Sequence, residues 1–370
     1  MTRQVWQIER FSADVTDDVM SFTYSTGRQT QFDSYSPGSL VLTIRNESGQ
    51  ANSYDLNDKI ILNAIGGLDW YQWFYVQEVF FNDMPGTGAG STATVICTDL
   101  LGRCGRIQVF EQVIGSQQTM QQIDTEFESL LPLSTRFEVF NNGDSTAAAD
   151  ASYTGTVLNR LNLNMVTEQG YLALSDVSIY LYARSDLQLL APGVITFARS
   201  ASGSFQLGYS NIERIALGSN YLNTCSVTPP VAAQQNVSDP TGVSTYGIYG
   251  AEFSTVDNSA TQAQSFAQWQ VYSRADPDEL SFQISISDTA NNLVEFFNAV
   301  FSGQHVVTVL YKNPGDATTY TSSQIMQGWS MSVTPAATNI QVFTSPLTYT
   351  NFFTLNSDTF GVLNTSRLGW

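Results

Sequence analysis

Residues 27–50 read GRQTQFDSYSPGSLVLTIRNESGQ, and the architecture is read outward from this stretch. A basic-polar turn runs through Pro37-Gly38 into a strand with Leu40, Leu42 and Ile44 on one face and Val41, Thr43 and Arg45 on the other. Successive side chains of a strand point to opposite sides of its sheet, so this alternation predicts a half-buried strand. Asn46-Glu47-Ser48-Gly49 then has the composition of a turn.

The order of elements that begins here occurs twice. Strands are predicted at 59–65 (KIILNAI), around 74–82 and at 92–98, the last two separated by a Pro-Gly loop. In the second half Leu280, Phe282, Ile284 and Ile286 alternate along a strand that stops at Asp288. Further strands follow at 305–311 (HVVTVLY), near 323–333 and at 339–344, with the turn Asn313-Pro314-Gly315-Asp316 after the first of these. The second half alone carries an apolar helix-like run at 293–301, LVEFFNAVF, with Asp288 as candidate N-cap and Gly303 as candidate terminator. A repeated order of this kind implies a duplication that yields two related β-barrels.

Between the repeats the period changes. Met120, Ile123, Phe127 and Leu130 predict a helix over 116–131 with Ser116 as N-cap, and Val157, Leu158, Leu161 and Met165 predict another over 154–165. Strands near 177–183 and 192–198 follow, then a Pro-, Gln- and Ser-rich loop at 228–245 that reads as a domain boundary. A helix over 259–272 leads through Asp276-Pro277-Asp278 into the second repeat. The expected chain is mainly β (α+β): a first barrel in 1–100, an α+β middle region in 101–245, and a second barrel with a C-terminal extension in 246–370.

With 370 residues, 42% hydrophobic and 13% charged, the chain is folded and large enough for more than one domain. Charged residues normally make up about a quarter of a soluble domain, so the shortfall points to a surface covered by partners. Thirty-three acidic residues against 15 basic ones give a net charge of −18, and Lys59 and Lys312 are the only lysines. Such a surface does not neutralise a phosphate backbone. Residues 1–10 lack a secretory pattern, and the chain has no apolar run of about 18 residues. Cys97, Cys104 and Cys225 are odd in number at no metal-ligand spacing, and read as reduced, buried thiols of a cytoplasmically assembled protein.

Catalytic chemistry finds few parts. His305 is the single histidine and opens a strand, where it reads as a polar cap; no Gly-x-Ser-x-Gly elbow is present to make it part of a triad. Gly86-Thr87-Gly88-Ala89-Gly90 lacks dinucleotide spacing and reads as a hairpin loop. Asp17-Asp18, Asp276/Asp278/Glu279 and Glu126/Glu128 are acid pairs in sequence, but read as turn and cap residues rather than a glycosidase pair or a calcium loop. No catalytic residue, metal or cofactor is expected. The dense cluster Trp70, Tyr71, Trp73, Phe74 and Tyr75 beside Gly66-Gly67 is open to three readings: packing between barrel and neighbouring domain, a subunit-interface anchor, or a sugar platform. An interface role predicts that truncating it loosens assembly while β content survives.

As a whole string, residues 27–50 resemble the opening motif of minor tail and tail-hub proteins of long-tailed bacteriophages: Gly-Arg, a polar stretch, a Pro-Gly turn, then a strand ending in Asn-x-x-Gly. VSIYLYARSDLQLL at 177–190 with IERIALGSNYLNTCSV at 212–227, where Asn223 precedes a strand, is similar to that family's middle region. FFTLNSDTFGVLNTSRLGW at 352–370 is similar to its close, with Asn356, Asp358, Phe360, Gly361, Leu363, Arg367 and Leu368 in the matching places. The resemblance implies two tail-tube-like barrels flanking an α+β middle region, in a baseplate hub without enzymatic activity. It further implies a homotrimer whose six barrels match the six-fold tail tube, around a conduit whose acidic wall lets DNA slide. Its partners would be a distal tail protein or tube above and a tip or fibre protein below, at the virion tail tip, after assembly in the bacterial cytoplasm. Rival readings are a hexameric distal tail protein with one barrel per chain, a tail-associated cell-wall glycan hydrolase, and a host-recognising carbohydrate-binding module.

Overall fold

The computed structural model describes residues 5–65, 70–84, 88–132, 135–175, 177–189, 195–200, 206–216, 221–274, 280–286, 290–301, 305–347, 352–353 and 367–368. It opens with strands β1 (Val5–Arg10), β2 (Ala13–Asp14), β3 (Val19–Gly27), β4 (Ser39–Arg45), β5 (Lys59–Ile65), β6 (Tyr71–Asn82) and β7 (Thr92–Thr98). A mixed region follows: α1 (Leu100–Arg106), β8 (Gln108–Ile114), β9 (Gln117–Gln118), α2 (Thr119–Phe127), β10 (Arg136–Val139), β11 (Thr146–Ala147), β12 (Asp150–Thr156), α3 (Val157–Glu168), β13 (Tyr171–Leu174), β14 (Ser178–Tyr182) and α4 (Arg184–Leu189). Next come β15 (Thr196–Ala198), β16 (Gln206–Ala216), β17 (Thr224–Thr228), β18 (Gln235–Ser238), α5 (Pro240–Tyr246), β19 (Gly250–Ser254) and α6 (Ala260–Ser273). The chain continues with β20 (Leu280–Ile286), α7 (Ala290–Phe301), β21 (Val306–Tyr311), β22 (Tyr320–Val333), β23 (Thr338–Pro346), β24 (Phe352–Phe353) and β25 (Arg367–Leu368).

The first row of strands has the order β1-β5-β6-β7-β4-β3, and the second has β15-β21-β22-β23-β20-β16. Position by position these are the same sheet. Even its irregularities repeat. Between β6 and β7 the register slips past Gln77, and between β22 and β23 it slips past Gln327. Between β3 and β4 it slips past Met20, and between β16 and β20 past Ser210. A bulge bends its strand and raises local twist, so two matched bulges give both rows the same curl.

The rows differ at one end. β1 runs antiparallel to β5, whereas β15 runs parallel to β21 and also pairs in parallel with β16. That last ladder closes the second row into a six-stranded barrel. The first row curls until the Trp6 and Phe22 rings lie 5.8 Å apart and Val15 N–H donates to the Ile8 carbonyl at 2.8 Å. Among the described residues no β1–β3 ladder seals it.

The closed barrel therefore draws two strands from residues 196–216, upstream of the loop expected to mark a boundary. The stretch 228–245 is not a bare loop either: it contains β18 and α5, and β18-β17-β19 form a sheet on which α6 packs. Buried Asn223 holds this unit, donating to the Gly247 carbonyl at 2.7 Å and accepting from Tyr249 N–H at 2.8 Å. Asp239 caps α5, whose first residue is Pro240. Helix α6 falls within one residue of the helix expected over 259–272, with Ser259 as its cap. Helix α2 begins later than expected because Gln117-Gln118 pair with Thr146-Ala147, while Ser116 donates instead to the Ala147 carbonyl at 2.9 Å. Leu130 lies past the end of that helix, half exposed in a 3₁₀ turn. Helix α3 starts three residues after Thr154, which lies in β12, with Thr156 as cap.

Both rows share one hydrophobic core, into which α7 drives Phe296 and Phe297. A second core belongs to the mixed region and takes in Tyr35, whose hydroxyl accepts from Leu172 N–H at 2.9 Å. Asp276, Pro277, Asp278, Glu279, Asp288, Gly303 and the motif residues Asn356, Asp358, Phe360, Gly361 and Leu363 lie outside the described residues, as do Gly66, Gly67, Gly86 and Thr87.

Candidate functional site

The motif read first from the sequence lies at a seam between the two rows. β3 pairs antiparallel with the second half of β22, from Gly27 opposite Gly328 to Phe22 opposite Val333. Both terminal positions require glycine. Gly27 has φ 78°, and a Cβ there would stand 2.3 Å from the Gln327 carbonyl oxygen; a Cβ on Gly328 would stand 2.5 Å from the Thr26 carbonyl oxygen. Arg28 then locks the seam: its backbone N–H donates to the Gln327 carbonyl at 3.0 Å and its Nε to Gln327 Oε1 at 2.8 Å. Downstream, Gly38 N–H donates to Asp99 at 2.7 Å, and Asp99 also caps α1. Burial pushes the Asp99 carboxyl up to about 7 against the backbone N–H groups that favour its charge.

Alternation gives the seam two faces. Tyr24 and Trp329 point inward with ring centroids 4.5 Å apart. Thr23, Ser25, Ser330 and Ser332 open onto a concave groove of about 540 Å³, whose other walls include Ser39, Ser210, Asn211, Ser285, Asn339 and Gln341. Among the described residues neither a cation nor a carboxylate lines this groove. Hydroxyls and amides hydrate well and offer a polyanion no fixed ion pair.

On the far side of the seam an aromatic cleft of about 280 Å³ separates the barrels from β13-β14, lined by Trp70, Tyr71, Phe140, Tyr171, Tyr182 and His305 among others. This settles the aromatic cluster in favour of packing for its inward members. Trp70 and Phe74 are core, with Trp70 4.9 Å from Phe297 and 6.0 Å from Trp329. Truncating the whole cluster would therefore unfold the chain, contrary to the expectation for an interface anchor. Of the cluster only Tyr71 and Trp73 stay partly exposed, and Lys59 Nζ sits 3.8 Å from the Trp73 ring centroid.

His305 opens β21 as expected, yet its side chain is buried rather than a surface cap. Tyr171 lies 4.7 Å away ring to ring, and neither imidazole nitrogen has a hydrogen-bond partner among the described residues. Burial alone pushes it down to about 4. The unfolded chain therefore binds a proton near 6.5 that the fold refuses until about 4, so stability is full above the first value and falls across that window. The loss reaches on the order of 3 kcal/mol. Asp99 and Asp257, whose carboxyls are raised by burial, gain protons in the fold as pH falls and oppose it. The expected result is that His305→Phe gains stability relative to the parent as pH drops from 6.5 to 4, read as the difference between urea midpoints. Parallel curves would refute the assignment.

Two of the acid pairs fall on described residues and take local roles. Asp17 and Asp18 lie in a 3₁₀ turn, and Glu126 accepts from Gly115 N–H at 3.1 Å. Glu128 is raised to about 7 by its hydrogen bond to Asp124. Buried carboxylates were not anticipated; one of them, Glu168 at the end of α3, accepts from Thr119 Oγ1 at 2.5 Å and from Asp144 and Ser145 N–H at 2.8 and 2.9 Å. It fastens a loop. Cys97, Cys104 and Cys225 are buried and unpaired, and burial pushes the last two thiols up to about 12. No group of three or more His, Cys, Asp or Glu among the described residues could hold a metal ion, and no described helix is long and apolar enough to cross a membrane.

No family model and no curated protein matches the sequence. Solved structures do. A tail protein from Neisseria meningitidis MC58 aligns over 93% of this chain and 96% of its own with TM-score 0.64 at 9% identity. The 43 kDa tail protein of prophage MuSo2 from Shewanella oneidensis aligns over 94% and 98% with TM-score 0.59 at 9% identity. A type VI secretion component of E. coli, itself described as similar to the T4 tail proteins gp27 and gp5, aligns over 89% and 73% with TM-score 0.53 at 8% identity. At these identities the likeness is one of fold, and it runs through the whole chain.

Proposed function

We propose that this chain is a structural tail-tip (baseplate) hub protein, three copies of which close a pseudo-six-fold ring that continues a tail tube and adapts it to a three-fold tip. The observation that carries the reading is the repeated six-strand row with its matched bulges, joined within one chain by a single seam. Two equivalent six-strand rows per chain, the second of them a closed barrel, turn a trimer into six similar lobes, which meets a six-fold neighbour above and a three-fold one below. The likeness to phage tail proteins supports the same reading at the level of fold.

In this reading the seam groove faces the lumen. Its Ser, Thr, Asn and Gln walls, within a chain of net charge −18, would let DNA pass without specific binding. Partners are a distal tail protein or tube above and a tip or fibre protein below, and the site of action is the virion tail tip. Light scattering and negative-stain averaging of the purified chain test the proposal: three copies in a six-lobed ring with an open centre are expected. Six chains per ring would instead favour the hexameric distal tail protein, a reading that draws on the fact that among the described residues only the second row is sealed by a ladder.

A further inference from the structure

We infer that neighbouring copies join by a second seam equivalent to the internal one, in which β16 of one protomer adds to the outer half of β6 of the next. The inference rests on the ring reading above and names the surface that closes it.

The repeat fixes the register. The ladders map β3 onto β16, with Val19 matching Tyr209 and Phe22 matching Ile212, because each set pairs identically with its inner neighbour across the same bulge. They likewise map β6 onto β22, with Val76 matching Met326 and Gln77 matching Gln327. Within the chain, Phe22 to Thr26 pair with Val333 to Trp329. Carried to the other copies of these strands, Ile212 falls opposite Asp83, Glu213 opposite Asn82, Arg214 opposite Phe81, Ile215 opposite Phe80 and Ala216 opposite Val79.

Both edges are open in the chain. β5 covers β6 only through Tyr75, and β15 covers β16 only through Gly208; past these points no strand among the described residues pairs with either edge. An open sheet edge invites a strand, and the side chains here favour one. Phe81 is 49% exposed where its internal counterpart Met331 is 2% exposed, and Phe80 and Ile215, at the places of Ser330 and Ser25, are 55% and 38% exposed. The inferred register lays Ile215 against Phe80 and the Arg214 guanidinium against the Phe81 ring, an apolar pair and a cation–ring pair. The contact is heterologous, since one protomer gives β16 and receives on β6 from different neighbours. Such contacts close into a ring when the rotation allows, and in the ring reading three copies close it.

The test uses the full chain carrying Phe80→Cys and Ile215→Cys, treated with a short bis-maleimide. Cys97, Cys104 and Cys225 are at most 1% exposed and stay out of the reaction. Covalent trimers on a denaturing gel are expected, and none from Phe80→Cys with Phe110→Cys, whose second position lies on the mixed region. Phe80→Glu should also shift the trimer to monomer by at least tenfold in dissociation constant, while Phe110→Glu leaves it unchanged. A trimer by light scattering that neither crosslinks at the seam nor responds to Phe80→Glu overturns this seam and leaves the ring reading standing. A parent chain that stays monomeric at every concentration overturns both.

Discussion

Trp329→Ala is expected to lower stability by about 3–5 kcal/mol and to weaken both rows in a single transition. The ring is buried on β22 between Tyr24 of the first row at 4.5 Å, Trp70 at 6.0 Å, and Phe296 and Phe297 of α7 at 5.3 and 5.7 Å. Removing it opens a void that none of these neighbours can fill, because each is held in edge or tilted contact with the others. The core is shared, so the loss is not confined to the second row. Urea unfolding followed by far-ultraviolet dichroism and by fluorescence reads this directly: coincident transitions at a lower midpoint are expected. Two separated transitions would show that the rows fold independently. Trp73→Ala, on the outward side of β6, should cost under about 1 kcal/mol.

Gly328→Val is the second large effect, expected to cost about 3 kcal/mol or more. A Cβ at this position meets the Thr26 carbonyl oxygen at 2.5 Å, the Arg28 carbonyl oxygen at 2.8 Å and the Arg28 nitrogen at 2.9 Å. All three are backbone atoms, so only parting β3 from β22 relieves the clash. Gly315→Ala is the informative comparison. Its φ is 80°, but nothing lies within 4 Å of its Cβ, so it should carry only the left-handed backbone cost of about 1 kcal/mol. Thermal unfolding that ranks the two alike would mean that the seam is looser than its geometry requires.

The repeat was legible because alternation in residues 40–45 and 280–286 marks buried faces, and those faces recur in the observed ladders from Leu40 to Ile44 and from Phe282 to Ile286. Helix α6 was legible in its extent, expected over 259–272 and found at Ala260–Ser273. What escaped was set by long-range pairing. Nothing local in Thr196–Ala198 says that β15 runs parallel to β21 and seals a barrel that β1, antiparallel to β5, leaves open. The short α1 and α5 depend on caps, Asp99 just past the strand expected at 92–98 and Asp239 within the stretch that read as a loop. The Trp70 cluster misled because aromatics at an interface core and at an internal core have the same composition. His305 misled because a strand's first residue is exposed only if no second sheet covers it, and β13-β14 do.

The seam also sets a schedule for synthesis. Arg28 and Gln327 are 299 positions apart, so β3 leaves the ribosome with its outer edge bare long before β22 exists. At about 5–20 residues per second the wait is roughly 15–60 s, ample time for a naked strand to find another nascent chain. A host chaperone, or slow production at low temperature, should therefore decide the yield of native protein more than any property of the finished fold.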